Sequence, residues 1–164
     1  MKTQKRRRRE HKTNYLRRIK LLKSGKPRII FRRTNKYFIA QYIVSNEAQD
    51  KVEMGINSKH LLKYGWPEEF KGSLKSTPAA YLTGLLIGKK IIKLKLESPI
   101  VDFGMLRTFH KSKNYGFLKG IIDAGIEIKH KEETFPSEDR IKGKHLKEDF
   151  TKIFDEIKFK IDKS

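Results

Sequence analysis

Between Ser76 and Lys93 the chain reads STPAAYLTGLLIGKKIIK, and no other stretch restricts the fold as much. Thr77 or Ser76 is placed to cap the free N–H groups of a helix start, and Pro78, which has no N–H, suits the first helical position. Leu82, Leu85, Leu86 and Ile87 supply a wide apolar surface, and Lys89 and Lys90 favour the C-terminal end of the helix dipole. Ala79, Ala80, Gly84 and Gly88 are small, and each glycine costs about 1 kcal/mol relative to alanine inside a helix. A helix that keeps them is expected to lie pressed against a sheet.

The strand-like stretches on either side supply that sheet. Arg28 to Arg33 and Tyr37 to Val44 are β-rich runs joined by Thr34-Asn35-Lys36, a hairpin with Asn35 expected at positive φ. Asp50 to Asn57 alternates, with Val52, Met54 and Ile56 on one face, and predicts a third, half-buried antiparallel strand. Ser58 then caps a short helix ending at Gly65, and the single Trp66 reads as a core or lid residue. Ser98 to Gly104 reads as a short buried strand, so strand, helix, strand implies a right-handed crossover and a parallel neighbour. Tyr115 to Ala124 is a second helix, Phe135 to Arg140 a capped turn, and Leu146, Phe150, Ile153, Phe154, Ile157 and Ile161 form a helical apolar stripe that must be buried.

The expected class is therefore α/β: a mixed sheet of an antiparallel meander plus a parallel strand, helices packed on the sheet, a basic N-terminal extension and a C-terminal helix. The expected division is 1–26 as basic arm and short helix, 27–130 as α/β core, and 131–164 as C-terminal helical tail.

Charge narrows the function. The 164 residues carry a net +20, and residues 1–36 hold 16 Lys and Arg against the single acid Glu10, a net +15. Nine of the eleven arginines lie between Arg6 and Arg33. Arginine's planar fork suits phosphate and base edges, so the arginines locate a polyanion-contacting surface more sharply than net charge does. Met1 to Lys12, with Arg6-Arg7-Arg8-Arg9, has no means of forming a core and is expected to order only on binding. Thr13 to Ser24 is a short helix capped by Thr13 or Asn14, with Tyr15, Leu16, Ile19 and Leu22 on one side and Arg17, Arg18, Lys20 and Lys23 covering the rest as a phosphate-tracking face.

Other classes find less support. There is no cysteine, hence no disulfide framework or thiolate site. No apolar run approaches the roughly 18 residues of a bilayer span, and no apolar segment follows the basic start as in a secretory signal, so an intracellular, non-membrane protein without cofactor is expected. No histidine pair has metal-ligand spacing, and the glycine-rich phosphate loops are missing. Asp102, at a strand end, is the one candidate for a metal-dependent nuclease. Such a site needs several converging acids, and Asp102 is expected instead to satisfy backbone N–H groups in the turn before Gly104. The residues alone thus give a nucleic-acid binder, either of a defined RNA or a sequence-tolerant compactor of RNA or DNA.

The stretches LLKSGKPRIIFRRTNKYFIAQ, YGW, STPAAYLTGLLIGKK, VDFGM and KGIIDAGIEIKH, in this order, closely resemble the universal large-subunit ribosomal protein eighteen family in its archaeal form, whose eukaryotic relative is large-subunit protein five. The likeness runs from about Arg6 to His145. It implies a cytoplasmic, non-enzymatic constituent of the large subunit that binds 5S rRNA and joins it to the central protuberance, in contact with large-subunit rRNA and with neighbouring proteins including universal large-subunit protein five. The RNA-binding residues it implies are Arg6, Arg7, Arg8, Arg9, Asn14, Tyr15, Arg17, Arg18, Lys23, Ser24, Lys26, Arg28, Arg32, Arg33, Asn35 and Lys36. Lys111, Lys113, Arg140, Lys142, Lys144 and His145 also correspond to family positions near RNA. Nothing carries over to the tail beyond Leu146.

Overall fold

A computed structural model describes residues 3–47, 49–146 and 150–163. In chain order its principal elements are α1 (Arg6–Arg9), α2 (Tyr15–Lys23), β1 (Arg28–Arg33), β2 (Phe38–Asn46), β3 (Gln49–Asn57), α3 (Thr77–Lys93), β4 (Ile100–Asp102), α4 (Lys113–Asp123), α5 (Glu138–Lys142) and α6 (Thr151–Asp162). The sheet order is β3-β2-β1-β4. β1, β2 and β3 form the antiparallel meander, and β4 joins β1 in parallel, with Arg28 opposite Ile43 on one side and Ile100 on the other. Flanked by two strands, β1 is buried continuously from Arg28 to Phe31 rather than in alternation.

Several local devices differ from expectation. Asn35 is not at positive φ. Thr34 closes the hairpin instead: its hydroxyl donates to the Tyr37 carbonyl at 2.7 Å and accepts from the Tyr37 N–H at 3.0 Å, so the turn requires no left-handed residue. In β3 the register steps between Tyr42 and Ile43, where Met54 and Val52 are the successive partners and Glu53 is passed over. This bulge breaks the alternation: Ile56 is buried but Val52 is 48% exposed. Ser58 is not the cap of the next helical turn; Asn57 is. The buried Ser58 hydroxyl accepts from the Phe38 N–H at 3.0 Å and donates to the Leu74 carbonyl at 2.8 Å, tying β2 to the lead-in of α3.

Ser76 caps α3, its hydroxyl accepting from the Ala79 N–H, and Pro78 falls one position later than expected, where an N–H would still lack a helical partner. The glycines of α3 do not face the sheet. A Cβ on Gly84 would collide with the Phe117 carbonyl of α4, and one on Gly88 with the Ala124 side chain. In return, a Cβ on Gly120 would collide with the Tyr81 carbonyl, and one on Gly116 would crowd Thr77. The two helices run parallel, backbone against backbone, and cover one face of the sheet together. Phe117 stacks on Phe31 at 4.2 Å and Phe31 packs on Phe38 at 5.0 Å.

The stripe on α6 is buried as its spacing requires: Phe154 packs on Tyr81 at 5.5 Å, and Phe150, just ahead of the helix, on Trp66 at 4.8 Å. Trp66 is a core residue, its Nε1–H donating to the Phe70 carbonyl. These side chains belong to the same apolar cluster as the sheet. Among the described residues no helix is long and apolar enough to cross a membrane.

Candidate nucleic-acid interface

The sheet face opposite α3 and α4 carries the arginines. On β1, Ile29 and Phe31 point into the core, so Arg28 and Arg32 point the other way. Arg28 is 1% exposed. Its NH2 donates to Asp50 Oδ1 at 2.7 Å and Ser45 Oγ at 2.9 Å, and its NH1 lies 3.6 Å from Asp102 Oδ2. One buried guanidinium thus links a carboxylate on β3 to one on β4 across the strands between.

Each acid then holds an arginine nearer the surface. Asp50 Oδ2 pairs with Arg18 of α2 at 3.0 Å, and Asp102 Oδ2 lies 3.8 Å from Arg32. The other oxygen of Asp102 accepts the Gly104 N–H at 2.7 Å, the turn role its position predicts. Gly104 sits at φ +57°, and its carbonyl accepts from Arg17 NH1 at 3.2 Å while Arg32 NH1 donates to the Asp102 carbonyl. Burial opposes charge on Asp50, but hydrogen bonds from Ser45 and Arg18 and the charges of Arg28 and Arg18 outweigh it, so its carboxyl titrates below the ordinary aspartate range. Burial lowers the Arg32 pKa; Asp102 resists this, and Arg28, Arg17 and Arg7 reinforce it by like charge. Asp102 is therefore bound up in arginine and backbone contacts, which leaves the nuclease reading without its central residue; among the described residues no group of three or more His, Cys, Asp or Glu could hold a metal.

The arm is more built than its composition predicts. Arg6 to Arg9 form one helical turn, where the sequence suggests a segment ordered only by a ligand. The Lys12 N–H donates to the Arg7 carbonyl, Arg7 Nε to the Thr13 hydroxyl at 2.9 Å, and Glu10 pairs with Arg6 and Lys12. Asn14 caps α2 by accepting the Arg17 N–H, and Ser24 turns its hydroxyl to the Leu21 carbonyl at the other end. The expected amphipathic arrangement of α2 holds only in part: Tyr15 and Leu22 are half-buried. Arg17 and Arg18 reach the sheet, while Leu16 is 69% and Ile19 49% exposed. Lys5 lies over the Tyr15 ring at 4.8 Å.

Of the residues expected to bind RNA, Arg17, Arg18 and Arg32 come together around the two acids. Arg6 to Arg9, Lys23 and Lys26 are exposed beside them, and Arg33, Asn35 and Lys36 are exposed at the hairpin end. Arg28 stands apart from the others: it is 1% exposed, with its NH2 bonded to Asp50 and Ser45, and lies beneath the surface that they form. Lys111, Lys113, Arg140, Lys142, Lys144 and His145 lie apart, on the loop before α4, at the start of α4, and on and after α5; Lys142 and Lys144 pair locally with Glu138 and Asp139. Sequence reasoning missed Asp50, Ser45 and Gly104.

A family model described as ribosomal large subunit proteins 60S L5 and 50S L18 matches residues 1–99. The large ribosomal subunit protein uL18 of Korarchaeum cryptofilum (strain OPF8) is 47% identical over 141 residues, which span 86% of this chain and 70% of that protein. An arginine face braced on a mixed sheet, with likeness running through that face and beyond it, identifies the chain as a member of the family of large-subunit ribosomal proteins that includes 60S L5 and 50S L18, structural proteins and not enzymes.

Proposed function

We propose that the protein is a structural constituent of the large ribosomal subunit that binds 5S rRNA and helps attach it to the central protuberance, in contact with large-subunit rRNA and beside universal large-subunit protein five. The observation that carries this reading is the braced set of Arg17, Arg18 and Arg32, held by Asp50, Asp102 and the Gly104 carbonyl. Folded RNA is distinguished by its shape and by splayed or looped bases, and reading these takes donors held on rigid elements. A compactor of arbitrary nucleic acid needs only charge, such as that of Arg6 to Arg9. The remaining proposed contacts, Lys23, Lys26, Arg33, Asn35 and Lys36, extend the same surface along α2 and the hairpin.

The test is a competition titration at fixed salt against 5S rRNA and an unrelated folded RNA, with circular dichroism confirming that each variant is folded. Deleting residues 1–9 is expected to weaken both complexes by similar factors. Replacing Arg32, Arg33 and Asn35 with Ala is expected to weaken the 5S complex selectively. Equal losses for the two RNAs in the hairpin variant would sink the reading of this face as the source of specificity.

A further inference from the structure

The end of the sheet where β1 turns into β2 gathers further cations around Arg33, at the hairpin limit of the arginine surface. Arg33 pairs with Phe38 across the hairpin, and Ser58 ties Phe38 to the Leu74 carbonyl, which fixes Lys75 at the same end. α3 and α4 run parallel with Thr77 beside Gly116, so α4 also begins here, at Lys113. Gly116 faces Pro136 as well, which brings in the start of α5 and Arg140. Arg33, Lys75, Lys113 and Arg140 thus come from four separate parts of the chain, and among the described residues none of them is paired with a carboxylate.

Packing brings these like charges together around Lys113. Lys113 is half-buried; desolvation and the charges of Arg33, Lys75 and Arg140 all push its ammonium below the ordinary lysine range. The N-terminus of α4 opens into the same place. Ser112 stands at its cap position but makes no capping hydrogen bond, and its hydroxyl oxygen is buried without a partner among the described residues. The first N–H groups of α4 add their partial positive charge.

We propose that this end of the protein is a phosphate-binding site, in which Lys75, Lys113, Arg33 and Arg140 clasp a phosphate group at the start of α4, with the Ser112 hydroxyl as a further donor. The site deepens the RNA-binding reading and rests on it for the source of the phosphate, an RNA backbone; its chemistry would accept free phosphate equally. Lys75 and Ser112 enter here as binding residues for the first time.

Two measurements on the full chain test it. In the first, 5S rRNA binding is titrated from 50 to 200 mM salt for the wild type, for Lys75→Ala/Lys113→Ala, and for Lys90→Ala, which removes a charge at the far end of α3. Every phosphate that a variant no longer neutralises lowers the salt slope by about one unit, roughly a three- to fourfold smaller decline of affinity over that range, and only the double variant is expected to show it. In the second, inorganic phosphate is titrated while the amide resonances of Ser112, Lys113 and Asn114 are followed; saturable shifts are expected in the wild type and not in the double variant. Both effects together assign the site to RNA. Saturable phosphate binding with an unchanged salt slope upholds the site and assigns it to free phosphate. An unchanged salt slope in the folded double variant, together with no saturable shift in the wild type, overturns the proposal. A wild-type protein with no preference for 5S rRNA would remove the functional reading and leave the phosphate titration as informative as before.

Discussion

At the scale of single residues the interface turns on Arg28 and Asp50. Withdrawing a guanidinium from water costs several kcal/mol, offset here by Asp50 at 2.7 Å, Ser45 at 2.9 Å and the charge of Asp102. Asp50→Asn keeps the shape but removes the charge, and is expected to cost about 1.5–3 kcal/mol at neutral pH. Because the Asp50 carboxyl titrates below its ordinary range, its contribution is fully present above the unfolded aspartate value and is lost as pH falls through the lower folded value. Urea unfolding should therefore show wild type and variant converging below about pH 4, and a gap independent of pH would contradict the assignment. Gly104→Ala tests the neighbouring brace: its Cβ would lie 2.8 Å from the Arg32 guanidinium at a φ of +57°, so a stability loss of about 1–2 kcal/mol and a displaced Arg32, read as weaker 5S binding, are expected. Neither Arg28 nor Asp50 is legible as an organiser in the sequence. Asp50 reads there as the polar start of a strand, and Arg28 as one more member of an arginine run. Only pairing β1 on both edges buries Arg28 and sets it between carboxylates 22 and 74 positions further along the chain.

At the scale of elements the close crossing of α3 and α4 decides the packing. The apolar helix, its Ser76 cap and its small residues are readable, but a glycine stripe accepts a sheet or a second helix equally well. The deciding signal is present in the sequence: Gly116 and Gly120 repeat the four-residue spacing of Gly84 and Gly88. Two matched stripes permit backbone-to-backbone approach, which a sheet bearing Phe31, Phe38 and Tyr42 on its inner face does not. Gly84→Ala and Gly120→Ala each set a methyl group against a main-chain carbonyl of the other helix, with no flexible side chain to yield. Each is expected to cost about 1–3 kcal/mol or more, seen as a drop in thermal midpoint of about 2–4 °C per kcal/mol. Gly72→Ala, with nothing within 4 Å of the new methyl group, is the matched control and should leave the midpoint nearly unchanged. α2 shows the opposite limit of pattern reading. Its apolar stripe predicts an inward face, yet Arg18 turns to Asp50, and Leu16 and Ile19 stay in solvent while Leu22 is half-buried.

At the scale of the whole molecule, net +15 of the +20 lies in residues 1–36, whose described part includes α1, α2, β1 and the start of the hairpin turn. Glu10, Asp50 and Asp102 compensate locally and leave most of that charge facing outward. Salt therefore acts in opposite directions on the free and the bound protein. In the free protein, added salt screens like-charge repulsion over a Debye length of about 10 Å at 0.1 M, so the thermal midpoint should rise as ionic strength increases from low values. In the complex, salt competes with the lysines and arginines for phosphate, and six to ten contacts would cost about 10³ to 10⁵ in affinity between 50 and 200 mM. The two titrations on one preparation check the same electrostatic account from both sides. A midpoint that falls with salt would mean the acids already overcompensate the arm. A flat affinity would mean that the cations of α1, α2 and the hairpin do not face the RNA backbone.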